Sequence, residues 1–560
     1  MFKHYFKIAL VSAMALSITI LFSSFTAADV KIPDKVRIGL YYTDPSAGVK
    51  GAVSTLNVSA PMGIQLGYDL NGSFNVLYEE PSGSNVSIRK DSYYIRTNNT
   101  FSETSANATN GGTVLGPYHI KIGGDYTDLN SVNQKISELQ QQGIAAFPAY
   151  VDSWQTWTGC YSNVNSAQTD LKSNLQTKLP NTAFTIVQPS SDRIVAAKST
   201  GDTALIFGSD KAHFQIYPKP ENTLYALKIN NNSTYRGAVE IRRFSGSDMT
   251  VINVLPLEEY LYGVVPSEME SSSNIEALKA QAVAARTFTV NGIGRHSKLA
   301  FDLCPTTADQ VYKGYMLNGK NSEAKSTNKA VDETRGKILV YNGRPAQIYY
   351  FSSSGGKTED VKNVWNSDLP YLKSVDDPYE SGKSYKYNWE VNIPASKVKE
   401  IAGAKLGDIT GIQITKVSDA GRATEVVITG TKDKRTYLRG NCRTIFSGTD
   451  YALFSQWYTV TSDADISVSN GSETVKTQIG SKNIMTSDGV KKIQGSGNKV
   501  TVVTANGSKN VSLVPTIYKF QGKGWGHGIG MSQEGAKGFA NAGYTYDQIL
   551  MHYFTGTNVQ

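Results

Sequence analysis

An internal repeat is the feature that most constrains the fold of this chain. Residues 118–143 and 154–179 align with a constant offset of 35 residues. Each copy predicts a strand, a turn and an amphipathic helix. With one further strand after each copy, the repeat predicts a β-α-β-β-α-β domain over residues 118–190. The matching pairs are Gly124 and Gly159, Tyr126 and Tyr161, Asn130 and Asn165, Ser131 and Ser166, and Ile136 and Leu171.

The other regions predict a multidomain α+β protein in which strands dominate. Short alternating apolar runs indicate a β-rich N-terminal region at 36–98, and the segment 99–113, with almost no apolar residues, indicates a mobile linker. From 192 to 560 further strands alternate with a few helices, and 458–513 is a polar, β-rich insertion. The length of 560 residues leaves room for about three or four domains.

Residues 1–28 have the pattern of an export signal. Lys3 and Lys7 precede an apolar run at 8–22, and small residues follow at 26–28. We therefore expect an extracytoplasmic protein, either secreted or associated with the cell envelope. Because the apolar run is marginal for crossing a bilayer, we favour a cleaved signal peptide, and an uncleaved N-terminal anchor is the alternative.

Composition narrows the classes of function. The chain has 56 basic and 48 acidic residues, which gives a formal charge of +8. In an exported protein this excess favours an anionic wall polymer or a membrane surface over nucleic acid, although an ordinary basic surface carries the same charge. The 32 tyrosines suit sugar faces and equally suit β-sheets. Three cysteines are too few for a disulfide scaffold.

A helix predicted over residues 273–290 has two distinct faces. Ser273 and Glu276 form the pattern of a capping box at its start. A neighbouring backbone can approach closely along a stripe of small side chains, so we assign such a stripe to the protein interior. The stripe consists of Ala277, Ala280 and Ala284.

Arg286 lies on the other line of this helix, among apolar residues and next to Lys279. This line is expected to border water or a cleft. A guanidinium among apolar side chains needs a partner, because burying it unpaired is costly. Glu268, which follows Pro266 in a predicted irregular turn, is the nearest candidate. The two residues indicate either a functional site or an ordinary structural ion pair.

Glycine occupies every second position from 522 to 530. An extended segment of this kind would project Lys523, Trp525 and His527 from one face, and its bare face would let another backbone or a flat ligand lie against it. The histidine is then either a ligand contact or a structural residue. Two helices follow. The first is predicted to begin at Ser532 or Gln533 and to end near Gly543, and Thr545 with Gln548 is predicted to cap the second.

Several segments between 192 and 560 resemble motifs of the stage II sporulation protein D family (SpoIID/LytB). This resemblance implies an extracytoplasmic lytic transglycosylase that cuts peptidoglycan glycan strands and prefers strands without stem peptides; related members are described as amidase enhancers. The repeat at 118–190 resembles the SPOR domain, which binds such denuded strands, and a ferredoxin-like spacer without a ligand is the alternative. The motifs are VINVLPLEEYLYGVVPSEM, EALKAQAVAARTFTV, YYFSSSGGKTED, VWNSDLPYLKSVDDP and GWGHGIGMSQEGAKGFANAGYTYDQILMHYFTGT.

The resemblance also implies a site. Glu268 matches the family's catalytic acid, and Arg286 matches a functionally important arginine. The acid would protonate the oxygen between N-acetylmuramic acid and N-acetylglucosamine, and would then accept the proton of the muramic C6 hydroxyl to give a 1,6-anhydro end. Because Arg286 would lower the pKa of Glu268, we expect it to act on substrate or on the carboxylate only after the first proton transfer. The predicted substrate-binding residues are Arg286, Lys279, Trp525, His527 and Gln533.

Some family members bind zinc through a histidine and two cysteines in the segment that here spans 295–314. This chain has His296 and Cys304, but Asp309 precedes Gln310 where the second cysteine would be expected. Two irregularly spaced ligands and an aspartate make a poor match to a zinc site. We therefore predict no metal and no cofactor.

Two other functions fit parts of the sequence. An ordinary glycosidase needs a second carboxylate at roughly 5 to 9 Å, and Glu258, Glu259 and Glu270 are near Glu268 in sequence. A non-catalytic amidase enhancer or glycan-binding protein would not need Glu268. The expected partners are peptidoglycan glycan strands and, for an enhancer, a cell-wall amidase. We expect no nucleic acid, and a membrane only if the N-terminal segment stays uncleaved.

Overall fold

A computed structural model describes most of the chain and has a strand-dominated α+β architecture. Strands hold 39% and helices 21% of the residues, which confirms the predicted class. The predicted export signal at 1–28 lies outside the described residues and stays a prediction. No helix in the described part has the length and apolar character needed to cross a membrane. The described residues are 31–560 without 71, 107, 109, 110, 221–223, 231, 245, 246, 470, 494–497, 505 and 506.

The helices lie in three groups: the repeat, the region around 257–365, and the C-terminal part. The α-helices are α1 (Leu129–Gln141), α2 (Val164–Asp170), α3 (Gln176–Lys178), α4 (Leu257–Glu268), α5 (Ile275–Gly292), α6 (Lys325–Glu333), α7 (Lys362–Trp365), α8 (Ala395–Ala402), α9 (Asn441–Thr444), α10 (Gln533–Asn541) and α11 (Tyr546–Tyr553). A π-helical turn at Leu171–Leu175 joins α2 to α3. Short 3-10 helices are Ser297–Leu299, Ala404–Leu406 and Ile479–Ser481.

A six-stranded antiparallel sheet joins the predicted N-terminal region to residues beyond 192. Lys35–Tyr41 pairs with Met249–Pro256, and Ile64–Leu70 pairs with His213–Pro218. The strands of region 36–98 therefore pair with strands that lie beyond residue 192. The N-terminal region and the region from 192 onward, predicted as separate units, share this sheet. In spatial order the strands are Lys35–Tyr41, Met249–Pro256, Ala238–Arg243, His213–Pro218, Ile64–Leu70 and Ser73–Glu80.

A twelve-stranded sheet contains the repeat at one end. The repeat has the predicted β-α-β-β-α-β order, and its fourth, first, third and second strands lie side by side. Its second strand, Ala146–Tyr150, pairs in parallel with Thr203–Phe207, so backbone hydrogen bonds connect the repeat to the rest of the sheet. In spatial order the strands are Phe184–Val187, Tyr118–Ile122, Trp154–Tyr161, Ala146–Tyr150, Thr203–Phe207, Ile194–Ala197, Asn85–Lys90, Thr55–Ser59, Ala226–Ile229, Ser233–Arg236, Met316–Leu317 and Lys320–Asn321.

The segment 99–113, predicted as a linker, contains a paired strand at each end, and its mobility stays a prediction. Thr100–Glu103 and Thr113–Leu115 pair with the two edges of Tyr94–Thr97. The Phe101 ring also lies 5.4 Å from the guanidinium carbon of Arg89. Backbone pairing needs no apolar side chains, and composition alone therefore missed these strands.

Smaller sheets form the rest of the molecule. Tyr458–Ser462 pairs with Ile517–Lys523, so the predicted insertion at 458–513 begins with a strand of a core sheet. The rest of the insertion forms three hairpins: Asp465–Ser469 with Thr474–Gln478, Asn483–Thr486 with Gly489–Lys492, and Lys499–Thr504 with Gly507–Ser512. The other strands are Thr43–Asp44, Val49–Lys50, Leu339–Tyr341, Arg344–Pro345, Tyr350–Phe351, Asn388–Pro394, Ile409–Val417, Ala423–Gly430, Lys434–Leu438, Met531–Ser532 and Asn558–Val559.

α5 is a central helix that is buried on nearly all sides. The predicted alanine stripe is fully buried, and Ala282 and Arg286 on the other line are fully buried as well. The part of that line with Ala282 and Arg286 therefore borders neither water nor a cleft, whereas Lys279, nearer the start of the helix, is partly exposed. The N-cap is Asn274, whose side chain accepts a hydrogen bond from the N–H of Glu276, and the predicted capping box at Ser273 is wrong by one residue. α4, α6, α10 and α11 pack around α5.

Candidate active site

Glu268 is the last residue of α4, and the predicted irregular turn is therefore wrong. α4 follows directly from the strand Met249–Pro256, with Pro256 at its N-cap. Pro266 lies inside the last turn of the helix. Most of the preceding apolar side chains of α4 are buried in the core, so the carboxyl group sits at the end of a rigidly packed element.

The Glu268 carboxyl group has two hydrogen-bond donors. Its Oε1 accepts from the backbone N–H of Val311 at 2.7 Å, and its Oε2 accepts from Nε2 of Gln533 at 3.4 Å. Burial raises the pKa of Glu268 above its ordinary value, and these donors and the charge of Lys313 oppose that rise without cancelling it. Among the described residues, no Lys, Arg or His nitrogen lies within 4.0 Å of this carboxylate.

Gln533 connects Glu268 to the central helix. It is the first residue of α10, after the N-cap Ser532, and its Nε2 also lies 3.4 Å from Oε1 of Gln281 in α5. Gln281 is fully buried, and its Nε2 has no hydrogen-bond partner among the described residues. The predicted site residue Gln533 is thus the one that the structure brings to Glu268.

Tyr350 is a second polar neighbour, which the sequence analysis did not single out. Its hydroxyl donates to Oε1 of Gln310 at 2.8 Å, and Nε2 of Gln310 donates to the hydroxyl of Thr289 at 2.9 Å. Burial, followed by the charge of Glu268, raises the pKa of the Tyr350 phenol. Two features of the sequence could have indicated this pair: a glutamine directly before Val311 and a tyrosine in the YYFSSSGG motif.

Arg286 pairs with Glu258, and the predicted pair with Glu268 is wrong. Its Nε and Nη2 donate to the two carboxylate oxygens of Glu258 at 2.9 and 2.6 Å, and further donors reach the carbonyls of Lys337 and Val331. Because Arg286 is fully buried, a direct contact with substrate would require the core to open. The expected effect of Arg286 on the pKa of Glu268 is absent from this arrangement.

Lys279 also lies away from Glu268. Its Nζ is 2.9 Å from a carboxylate oxygen of Glu276 and 2.9 Å from one of Glu333. It therefore links α5 to α6. Its predicted contact with substrate stays a prediction.

The glycine segment is not an extended strand. The strand ends at Lys523, and Gly524, Gly526, Gly528 and Gly530 have φ values of +77°, +119°, +86° and +76°. A backbone does approach closely, as the bare face predicted: a Cβ at 530 would lie 2.2 Å from the carbonyl oxygen of Tyr349. The backbone that approaches the glycines therefore belongs to this chain. Because the segment is not extended, Lys523, Trp525 and His527 do not project from one common face as predicted.

Trp525 and His527 consequently have different environments. Trp525 is 38% exposed and packs against Tyr385 at a ring distance of 5.3 Å. His527 donates from Nε2 to the carbonyl of Tyr350 and accepts from the N–H of Ile529 at Nδ1. Burial lowers the pKa of His527 to about 3, so the ring is neutral near pH 7.

Comparison with known proteins supplies the family. A family model described as stage II sporulation protein (SpoIID) matches residues 245–341. The chain is 31% identical to stage II sporulation protein D of Bacillus subtilis over 332 residues, which cover 79% of that protein and 57% of this chain. The protein of the same name from Bacillus amyloliquefaciens is 30% identical over 353 residues, covering 84% of its length and 61% of this chain. This chain belongs to the stage II sporulation protein D family.

A further relative has a different name. The amidase enhancer of Bacillus subtilis is 33% identical over 313 residues, which cover 53% of this chain. The match spans 40% of the length of that relative. The region matched by the SpoIID family model contains α4, α5 and the loop that donates to Glu268.

Two cavities share Trp365 and His527 in their linings. The tyrosine cavity, of about 420 Å³, is lined by Tyr349, Tyr350, Gln347 and Arg295 as well as residues 307–309, which lead to Val311. The basic cavity, of about 370 Å³, is lined by Asn366, Arg439, Asn441 and Arg443. Trp365, 42% exposed between them, was missed by the sequence analysis although it belongs to the quoted motif VWNSDLPYLKSVDDP.

The three residues that the sequence analysis compared with a zinc site do come together. Ligand atoms of His296, Cys304 and Asp309 lie within 4.8 Å of one another, which suits a small cation. The Asp309 carboxylate, however, also pairs with the Arg295 guanidinium and accepts from the N–H of Cys304 at 2.8 Å. A guanidinium on this carboxylate competes with a metal ion, and the absence of a metal stays a prediction.

Proposed function

We propose that this protein is a lytic transglycosylase that cuts the bond between N-acetylmuramic acid and N-acetylglucosamine in denuded peptidoglycan strands. The observation that carries the proposal is the state of Glu268. Its carboxyl group is partly buried, its pKa is raised, and among the described residues it has no cationic partner within 4.0 Å. A carboxyl group in this state is suited to donating a proton.

A single carboxyl group is sufficient for the reaction. Glu268 gives its proton to the glycosidic oxygen, the bond from that oxygen to C1 breaks, and the N-acetylglucosamine hydroxyl leaves. The muramic C6 oxygen then bonds to C1 while its proton passes to Glu268, which restores the acid. The N–H of Val311 and the amide of Gln533 stabilise the carboxylate between the two transfers.

The surroundings of Glu268 favour this reaction over two-carboxylate hydrolysis. Glu258 is held by Arg286, Glu259 lies 3.9 Å from a nitrogen of Arg236, and Glu270 is largely exposed. The charged group that acts on the pKa of Glu268 is a lysine, not a second carboxylate. A glycosidase would need such a carboxylate at roughly 5 to 9 Å.

Mass spectrometry of the products tests the proposal. Denuded glycan incubated with the intact protein should yield 1,6-anhydro muramyl ends, whereas Glu268→Gln should yield none. Glu270→Gln, which changes an exposed carboxylate two residues away, is the matched control and should retain activity. Reducing muramyl ends would identify a hydrolase, and identical product yields from the intact protein and Glu268→Gln would rule out an acid role for Glu268.

A second candidate function is that of a non-catalytic amidase enhancer that binds glycan. The similarity to the Bacillus subtilis amidase enhancer supports it as much as the other relatives support the first. In that case Glu268→Gln should leave the stimulation of a cell-wall amidase unchanged. Loss of residues 118–190 or of the segment with Trp525 and His527 should abolish it.

We also propose that the repeat at 118–190 is a SPOR-like domain that binds denuded glycan outside the cytoplasm. Its β-α-β-β-α-β order and its duplicated sequence support this proposal. Pull-down on purified, peptide-free glycan would test it. A protein lacking residues 118–190 that sediments with glycan as well as the full chain would contradict it.

A further inference from the structure

The basic cavity carries positive charge that the described structure leaves uncompensated. Arg439 and Arg443 both line it, and its lining contains no acidic side chain. Among the described residues, neither guanidinium has a carboxylate oxygen within 4.0 Å. Arg443 is partly buried, and burial lowers its pKa. A partly buried guanidinium without an anion is costly unless a ligand supplies one.

The other lining groups suit a sugar. Trp365 offers an exposed ring face at the junction with the tyrosine cavity, and Asn366, Asn441 and Thr444 offer amide and hydroxyl groups. Aromatic rings pack on the apolar faces of flat ligands, and amides bind hydroxyl and acetamido groups. His527, neutral because of its burial, adds no charge to the cavity.

Two residues that line the basic cavity have left-handed backbone. Asn366 and Arg439 both have positive φ values, of +58° and +53°. Positive φ is uncommon for residues other than glycine, and particularly for a long side chain such as arginine. Such conformations concentrate at binding sites, where the surrounding structure holds them in place.

The basic cavity adjoins the tyrosine cavity, which borders the loop next to Glu268. It shares Trp365 and His527 with the tyrosine cavity, and that cavity reaches Tyr350 and the loop whose Val311 donates to Glu268. The loop from residue 307 to Val311 thus connects Glu268 to the tyrosine cavity, which adjoins the basic cavity at Trp365 and His527.

We propose that the basic cavity binds a muramic acid residue through its free lactyl carboxylate, with Arg443 as the main anion-binding residue and Arg439 beside it. This inference rests on the proposed action on glycan strands. In a strand that carries stem peptides this carboxyl group is a neutral amide, and the guanidinium gains no anion. In a denuded strand each muramic residue carries the anion. The arginines thereby select strands from which an amidase reaction has removed the peptides.

Binding measurements on the full chain test the inference. Glu268→Gln should prevent turnover, and in this background Arg443→Gln is compared with the parent protein by isothermal titration. The two ligands are a peptide-free tetrasaccharide of alternating N-acetylglucosamine and N-acetylmuramic acid, and chitotetraose, which lacks the lactyl group. The SPOR-like repeat is identical in all variants, so a difference between them reports the cavity.

Arg443→Gln should weaken binding of the muramyl tetrasaccharide about tenfold or more and leave chitotetraose binding unchanged. Arg443→Lys, which keeps the charge, should lose less affinity for the muramyl tetrasaccharide than Arg443→Gln. Arg439→Gln should also lose affinity for this ligand alone, by a smaller factor. Lys434→Gln removes an exposed charge from the adjacent strand outside the cavity and is the matched control. A melting curve for each variant verifies its fold.

Equal losses for both oligosaccharides, or no loss for either, would overturn the inference, as would a parent protein that does not distinguish the two ligands. The outcome is separable from that of the proposed reaction. Carboxylate-dependent binding without anhydro products would reject the transglycosylase and leave the anion site intact. Anhydro products, together with unchanged binding in Arg443→Gln, would support the transglycosylase and reject the anion site.

Discussion

The pKa of the Glu268 carboxyl group depends on burial and on a few neighbours, of which Lys313 is the charged one. Lys313 is exposed, so its positive charge opposes the rise in pKa without cancelling it. A raised pKa keeps more of the acid form at a given pH, and that form is lost as pH rises through the pKa. Activity that needs the acid should therefore fall on the alkaline side.

We predict that Lys313→Gln raises the pKa of Glu268 further, because it removes the opposing charge. Titration of the labelled carboxyl carbon by NMR measures this directly, and the alkaline limb of the pH–activity profile should move in the same direction. Lys320→Gln, an exposed charge change on a neighbouring hairpin, is the control and should leave both unchanged. A Glu268 pKa at or below its ordinary value in the intact protein would contradict an acid role.

Arg286 is a stabilising residue of the core in this structure. It binds Glu258 through two hydrogen bonds and is fully buried. Replacing it by methionine should lower the free energy of unfolding by about 3–5 kcal/mol, because the Glu258 carboxylate then stays buried without a partner. Urea denaturation measures this change.

The double variant Glu258→Gln with Arg286→Met provides the control for that prediction. It should be more stable than Arg286→Met alone, since it leaves no unpaired buried charge. If Arg286→Met abolishes glycan cleavage while its unfolding free energy equals that of the intact protein, Arg286 has a direct role in the reaction and the interpretation as a core residue is wrong.

At the scale of elements, the glycine segment after Lys523 depends on left-handed backbone and on close approach to residues 349–354. An alanine at Gly530 would combine a φ of +76° with a Cβ 2.2 Å from the Tyr349 carbonyl oxygen. We predict that Gly530→Ala lowers the unfolding free energy by about 1–3 kcal/mol more than Gly543→Ala. Gly543 is the matched control, because its φ is +94° and a Cβ there meets nothing within 4 Å. Equal losses in thermal or urea unfolding would show that the close approach does not matter.

The sequence predicted the elements whose signals are local. The duplicated pattern predicted the order of strands and helices at 118–190, the alanine stripe predicted the buried face of α5, and Thr545 with Gln548 predicted a capping box that the structure contains. Each of these depends on residues that are close in the chain. The period-two glycines were compatible with extended and with left-handed backbone, and only the packing partner decides between them.

Long-range pairing explains the errors. Arg286 binds Glu258 in the core, although Glu268 is closer to it in sequence. The strands at 36–98 likewise pair with strands beyond residue 192. Sequence separation carries little information about such contacts. Glu268 and Gln533 were both predicted as site residues, but their meeting depends on how α4 and α10 pack on α5.

At the scale of the whole molecule, a buried ionic cluster joins the repeat at 118–190 to the sheet that continues from it. Asp91, which follows the strand Asn85–Lys90, faces His119 of the repeat at 3.2 Å and Arg193 at 2.8 Å. Both ring nitrogens of His119 face acceptors, since Nδ1 lies 2.6 Å from the carbonyl oxygen of Gly159. This arrangement favours the doubly protonated, charged ring.

We expect the cluster to make the attachment of the repeat sensitive to alkaline pH. Although burial favours neutral histidine, the Asp91 carboxylate outweighs it and raises the pKa of His119 from its ordinary value of 6.5 to about 10. A group with a raised pKa in the folded protein stabilises it fully below the ordinary value, and this contribution is lost as pH rises through the folded pKa. We therefore predict that the repeat loses stability between about pH 6.5 and pH 10.

Hydrogen–deuterium exchange of the full chain, corrected for the intrinsic effect of pH, measures this loss region by region. Protection of the strand Tyr118–Ile122 should fall with rising pH more than protection of α5. His119→Gln should lower that protection at pH 6 and flatten its dependence on pH, because the titrating group is gone. Lys172→Gln, which removes a positive charge from the exposed surface of the same repeat, should keep the dependence of the intact protein. An unchanged pH dependence in His119→Gln would show that the cluster does not control how the repeat is held.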